Sequence, residues 1–138
     1  MKNARKAHLK LGRRGESTAW KLLESKGCEL IARNWRVKAG ELDLVVLDGE
    51  TLVFVEVKTL RRKGMFRPLD NLSMVQIKRN SRAARSYWRS LGKPELATRF
   101  DLIEVVLSRW GVCDIRHHYG YQMPLTEQYD FPAWSAED

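Results

Sequence analysis

Leu9, Gly12, Glu16, Ala19 and Leu23 recur at three- and four-residue steps and share one helical face. That periodicity predicts a first helix over roughly Arg5 to Lys26, stopped by Gly27. Glu16 lies on its inward stripe, and Gly12 and Gly15 suggest close approach to another backbone or a ligand. Three strand-like runs follow: Cys28 to Arg36, Glu41 to Leu47, and Thr51 to Thr59. Lys38-Ala39-Gly40 separates the first two, and Asp48-Gly49 is a hairpin signal between the second and third. A basic loop from Leu60 to about Leu69 leads to a second helix, capped by Asn71 or Ser73, reaching Leu91 and ended by Gly92 and Pro94. Its core stripe reads Ile77, Ser81, Ala84, Trp88 and Leu91. Phe100 to Leu107 is a fourth strand and Val112 to His117 a short fifth. The order α-β-β-β-α-β predicts a three-layer α/β domain with a mixed sheet. Leu52 to Val55 is apolar on both faces, so the third strand is expected at the centre.

Glu56 breaks that apolar run, where an unpaired carboxylate would cost several kcal/mol. Lys58 leaves the same strand face two residues later. With a two-residue turn at Asp48-Gly49, Asp43 falls opposite Phe54 and Glu41 opposite Glu56. With the turn at Gly49-Glu50, Asp43 falls opposite Glu56 and Glu41 opposite Lys58. Either register gathers Glu41, Asp43, Glu56 and Lys58 on one face, with direct pairs about 5 Å apart; a three-residue turn would throw Asp43 to the other side. Carboxylates this close repel, and a hard divalent cation such as Mg²⁺ or Mn²⁺ removes the conflict. Asp43 and Glu56 are therefore the candidate metal ligands, and Lys58 the group that orients water or offsets charge at a phosphate. The competing reading is a solvated salt-bridge cluster.

Charge adds a partner. The 138 residues hold 25 Lys and Arg against 17 Asp and Glu, a net charge of +8. Between Lys58 and Arg99, twelve basic residues face only Asp70 and Glu95. Arg61, Arg62 and Lys63 stand just beyond Lys58. Lys78, Arg82, Arg85 and Arg89 form a helical stripe beside the apolar one, so these seven are candidate phosphate contacts. A merely solvated basic face is the competing reading. Nothing suggests base-edge reading, so little sequence preference is expected. Cys28 and Cys113 lack metal-ligand spacing and read as reduced thiols. The N-terminus lacks an apolar signal core and no run approaches a membrane span, which points to a cytoplasmic protein without a membrane partner. Asp101 reads as structural, and His117 and His118 should point to opposite strand faces, which argues against joint ligation.

Gly12-Arg13-Arg14-Gly15-Glu16, Ala32-Arg33-Asn34-Trp35-Arg36, Gly40-Glu41-Leu42-Asp43-Leu44, Val53-Phe54-Val55-Glu56-Val57-Lys58-Thr59, Lys78 and Arg99-Phe100-Asp101 together resemble the uncharacterised YraN-like bacterial family. That resemblance runs from about Leu9 to Leu107. It implies a restriction-endonuclease-like PD-(D/E)XK fold, similar to archaeal Holliday-junction resolvases, over residues 1–120. Residues 121–138 are expected to form a tail that packs loosely or stays mobile. It further implies Asp43 and Glu56 as metal ligands, Lys58 as the catalytic lysine, and Glu16 as an additional acid at the site. Glu41 is expected beside them. The expected function is an Mg²⁺-dependent nuclease on DNA, including branched or flapped forms. The alternative is a non-catalytic nucleic-acid-binding accessory protein in recombination or repair. A homodimer is compatible with the resemblance, although no segment reads as a dimer surface.

Overall fold

The computed structural model describes residues 2–38, 40–61 and 74–121, without the side chains before Gly12 or that of Met74. Helix α1 spans Lys2–Ser25, strands β1 Glu29–Val37, β2 Gly40–Asp48 and β3 Thr51–Arg61 follow, then helix α2 Met74–Ser90 and strands β4 Ala97–Ser108 and β5 Gly111–His118. The five strands form one sheet in the order β1-β2-β3-β4-β5, which puts β3 at its centre. Only β3 and β4 run parallel, joined by the crossover through α2; the other neighbours are antiparallel. The fold is thus three-layered, with a mixed sheet between two helices. The fifth strand is a full eight-residue edge strand rather than the short appendix expected, because it pairs with β4 from Ser108↔Gly111 to Leu102↔His118. Asn71, Ser73 and the segment 122–138 lie outside the described residues.

Alternation along β3 divides the core in two. Leu52 and Phe54 pack with Leu42, Val45 and Phe100 against Ala83, Ala84, Tyr87 and Trp88 of α2. Val53 and Val55 pack on the other face with Leu44, Ile103, Val105 and Leu107 against Ala19 and Leu23 of α1. The buried stripe of α2 is broader than the periodicity suggests. Asn80, Ala83 and Tyr87 join it, while Leu91 is exposed because it follows the helix's last turn. Both helices end in a left-handed glycine, Gly27 and Gly92, with the next amide bonding back to Leu23 and Trp88 respectively. No helix among the described residues is long and apolar enough to cross a membrane.

The β2–β3 register runs from Leu44↔Val55 to Asp48↔Thr51, so the turn is Gly49-Glu50. Asp48 stays in the strand because the buried Arg99 Nη2 binds its carboxylate at 3.0 Å. Arg99 also holds Asp101 through Nε at 2.9 Å, and Asp101 is paired with His117 and accepts the Gly120 N–H. Burial works against the charged Asp101, but the hydrogen bonds from His117, Arg99 and Gly120 outweigh it and hold its pKa below the usual range. Asp101 is a structural anchor, as its place in the sequence suggests.

Gly15 is the point where α1 meets β3. A Cβ there would fall 1.6 Å from Thr59 Oγ1 and 2.7 Å from Thr59 Cβ, whereas at Gly12 it would meet nothing within 4 Å. The close approach expected of both glycines occurs only at Gly15. Gly15→Ala should destabilise the fold by about 1–3 kcal/mol through overpacking. Gly12→Ala, on the same helix, should stabilise it by up to about 1 kcal/mol. Urea denaturation of the two variants checks this; equal effects would contradict the packing described.

Candidate active site

The ladder between β2 and β3 stops at Leu44↔Val55, one step short of Asp43 and Glu56. Beyond that step the Val57 N–H donates to Asp43 Oδ2 at 2.8 Å, so a carboxylate stands where the next backbone acceptor would have been. Glu56 continues the Leu52–Phe54 face toward α2, where Gln76 Nε2 donates to its Oε1 at 3.2 Å and Asn80 Nδ2 approaches Oε2 at 3.5 Å. The Asp43 carboxyl lies close enough to Glu56 for its charge to disfavour ionisation there.

Both acids are held above their ordinary range. Burial is the main cause for Glu56, reinforced by the charge and hydrogen bond of Asp43 and by Glu41, and only eased by Lys58; its pKa rises to about 9. Burial also lifts Asp43, with Glu16 and Glu41 adding to it and the Val57 amide opposing, to about 6. As a pair the two acids therefore hold a proton more tightly than either would alone. The pair presents oxygen donors whose repulsion a divalent cation would relieve. The donor set therefore fits such an ion. Among the described residues no three Asp, Glu, His or Cys side chains form a ready-made cage, so any ion held here would complete its shell with water or substrate oxygens.

The other expected residues take different places. Glu16 of α1 adds its charge to Asp43 and has a raised pKa, chiefly from burial, opposed by a hydrogen bond from Asn34. Asn34 adopts a left-handed φ of 47°, a conformation asparagine tolerates better than most residues. Glu41 is half-exposed and ion-paired with Arg36 Nε at 3.1 Å, so its influence on the two acids is through charge alone. Lys58 sits two residues beyond Glu56 and adds positive charge to it. Lys78, Arg82 and Arg89 are exposed on α2, with Arg85 half-buried, and Arg61 is exposed at the end of β3. Arg62 and Lys63 lie outside the described residues. Because Gln76 and Asn80 share α2 with the basic stripe, one helix both contacts Glu56 and carries positive charge away from it.

Three contacts escaped the sequence reading. Gln76 and Asn80 leave no signal in a helix whose stripe is judged by hydrophobicity. Glu104 does: it interrupts the apolar run Leu102-Ile103-Glu104-Val105-Val106 just as Glu56 interrupts its own. It is fully buried beside Lys58 in the β3–β4 register and paired with His118 through Oε1, while its Oε2 has no partner. His117 and His118 bind different acids on opposite faces, as alternation requires. A recess of about 390 Å³ lined by Asp48, Glu50, Thr51 and Glu95 opens at the start of β3, away from Glu56 and too acidic to receive phosphate.

Residues 15–105 match the model of a family described as the uncharacterised protein family UPF0102. A UPF0102 protein of Streptomyces griseus is 42% identical over 119 residues, covering 86% of this chain and 98% of its own length. Another, from Chlorobaculum tepidum, is 40% identical over 96 residues, covering 70% and 74%. One from Nitratidesulfovibrio vulgaris is 41% identical over 106 residues, covering 77% and 78%. The matched segment contains Glu16, Asp43, Glu56 and Lys58.

A carboxyl whose pKa is raised by folding contributes stability while protonated and loses it as pH rises through the folded value. Metal-free protein should therefore lose stability as pH climbs from about 4 toward 9, the window set by Glu56. Glu56→Gln removes that titration, and its melting temperature should exceed the wild type's by about 3 °C or more at pH 8.5 and match it near pH 4.5. Parallel pH profiles of the two proteins would contradict the raised Glu56 pKa.

Proposed function

The chain belongs to the uncharacterised protein family UPF0102, and on that premise we propose that it is a divalent-metal-dependent nuclease that hydrolyses DNA phosphodiester bonds without strong sequence preference. The observation that carries this reading is the placing of Asp43 and Glu56 together at the splayed end of the central hairpin, with Asp43 bound by the Val57 amide and Glu56 by Gln76 and Asn80. A structural ion pair would leave each carboxyl with its own cation, as Asp101 is left with Arg99. Here two acids face each other with one lysine close by.

Asp43 and Glu56 would hold Mg²⁺ or Mn²⁺, and Gln76 and Asn80 fix the Glu56 carboxyl for that purpose. When bound, the cation supplies Lewis-acid polarisation of the scissile phosphate and acidifies the attacking water. Val57's amide holds Asp43 in place, so the ligand geometry is set before substrate arrives. Lys58 orients the attacking water or offsets the negative charge that grows on the phosphorane-like transition state. Glu16 extends the acidic side of the site from α1. Arg61 and the Lys78–Arg89 stripe take the backbone phosphates, which makes binding steeply salt-dependent.

Mn²⁺-dependent cleavage of single-stranded, duplex, flapped and four-way DNA tests this. Wild type should cleave at least one form, and Glu56→Gln and Lys58→Ala should each lose about 100-fold or more. Equal cleavage by all three would assign the activity to a contaminant, and no cleavage of any form or of the matching RNAs would end the proposal.

A further inference from the structure

The turn between β4 and β5 is built from Arg109 and Trp110, and the indole of Trp110 is 87% exposed. Two-residue hairpin turns favour Asn, Asp and Gly, so turn geometry does not call for tryptophan. Nor is the ring exposed because the turn is loose. The Trp110 N–H donates to Ser108 Oγ at 3.1 Å, and the Ser108 hydroxyl donates to the Gly111 carbonyl at 3.2 Å. The side chain of one strand residue thus fixes the turn on both sides. The Arg109 guanidinium lies 5.1 Å from the indole centroid, and the exposure of Trp110 leaves the ring's other face open.

Its surroundings are cationic. Arg14 of α1 reaches the turn, its guanidinium 3.6 Å from where a Cβ on Gly111 would stand, and Arg13 beside it is exposed. Arg61 pairs with nothing beyond Leu107 in the β3–β4 ladder, so the exposed end of β3 and the turn share one end of the sheet. Lys58 lies three residues back along β3. Glu56 pairs with Leu102 in mid-sheet, so the turn stands roughly 23 Å along the strands from the acid pair. An open aromatic face among arginines is the arrangement that takes a nucleobase by stacking while cations hold the adjoining phosphates.

We propose that Trp110 is a stacking platform for an unpaired nucleobase, with Arg14 and Arg109 holding the flanking phosphates. A base can reach the ring only where it is unpaired, so the platform selects single strands, flaps or junctions over uninterrupted duplex. This deepens the nuclease reading by naming the strand form presented to that site, while the binding itself needs no catalysis.

Binding is measured by fluorescence anisotropy in EDTA, with a labelled dodecamer of thymidylate and with a duplex closed by hairpins at both ends. Trp110→Ala should weaken the single strand by about fivefold or more, and Trp110→Phe should retain most of the affinity. Both variants should bind the closed duplex as wild type does and melt at its temperature, since the ring is outside the core. Loss-free single-strand binding by Trp110→Ala, an equal loss on both probes, or no measurable single-strand binding by wild type would overturn the platform. So would sedimentation showing that Trp110→Ala turns a dimer into a monomer, because a second copy would then cover the ring. With divalent ions absent, a protein that never cleaves can still pass this test, so its failure and that of the nuclease reading are separable.

Discussion

Two carboxyl groups meet where β2 and β3 cease to pair, and the surrounding fold is arranged so that neither can leave. A one-residue slip in the hairpin would carry Asp43 to the opposite side of the sheet. The register that prevents this is set at the other end of the hairpin, where Arg99 binds Asp48 and makes it the last strand residue. Arg99 is itself fixed by Asp101, which His117 and the Gly120 amide hold in turn. A buried ion network at one end of the strands thus determines which acids face each other at the other end.

The two clusters show opposite solutions to the same problem. Asp101 is buried with enough donors to stay ionised, and its pKa falls. Asp43 and Glu56 are partly buried among amide donors and other carboxylates, and their pKa values rise. In a small domain whose net stability is a few kcal/mol, an acid pair kept in that state is a standing penalty unless a cation relieves it. α1 enters through the contact of Gly15 with Thr59 and brings Glu16 to the site. α2 enters through Gln76 and Asn80.

Much of this was legible in the residues. Hydrophobic periodicity located both helices and the central strand, because each buries a regular stripe or a continuous apolar run. A charged residue inside such a run singled out Glu56, and hairpin arithmetic limited its partner to Asp43 or Glu41. The choice between two turn registers was not legible, since it depends on Arg99, 51 residues away, reaching Asp48. Glu41 was placed by alternation, yet its side chain turned to Arg36, an adjacent-strand pairing that alternation ignores. Glu104 carried the same signal as Glu56 and was passed over because no motif framed it. Trp110 fell between the fourth and fifth strands in a segment given no role, and its exposure is a tertiary fact that sequence does not display.

Diffraction from crystals soaked in Mn²⁺, with the manganese located by its anomalous signal, tests the central claim most directly. The account predicts one peak between residues 43 and 56, about 2.1 Å from an oxygen of each. A peak elsewhere with both side chains unmoved, or no peak at saturating Mn²⁺, would contradict it.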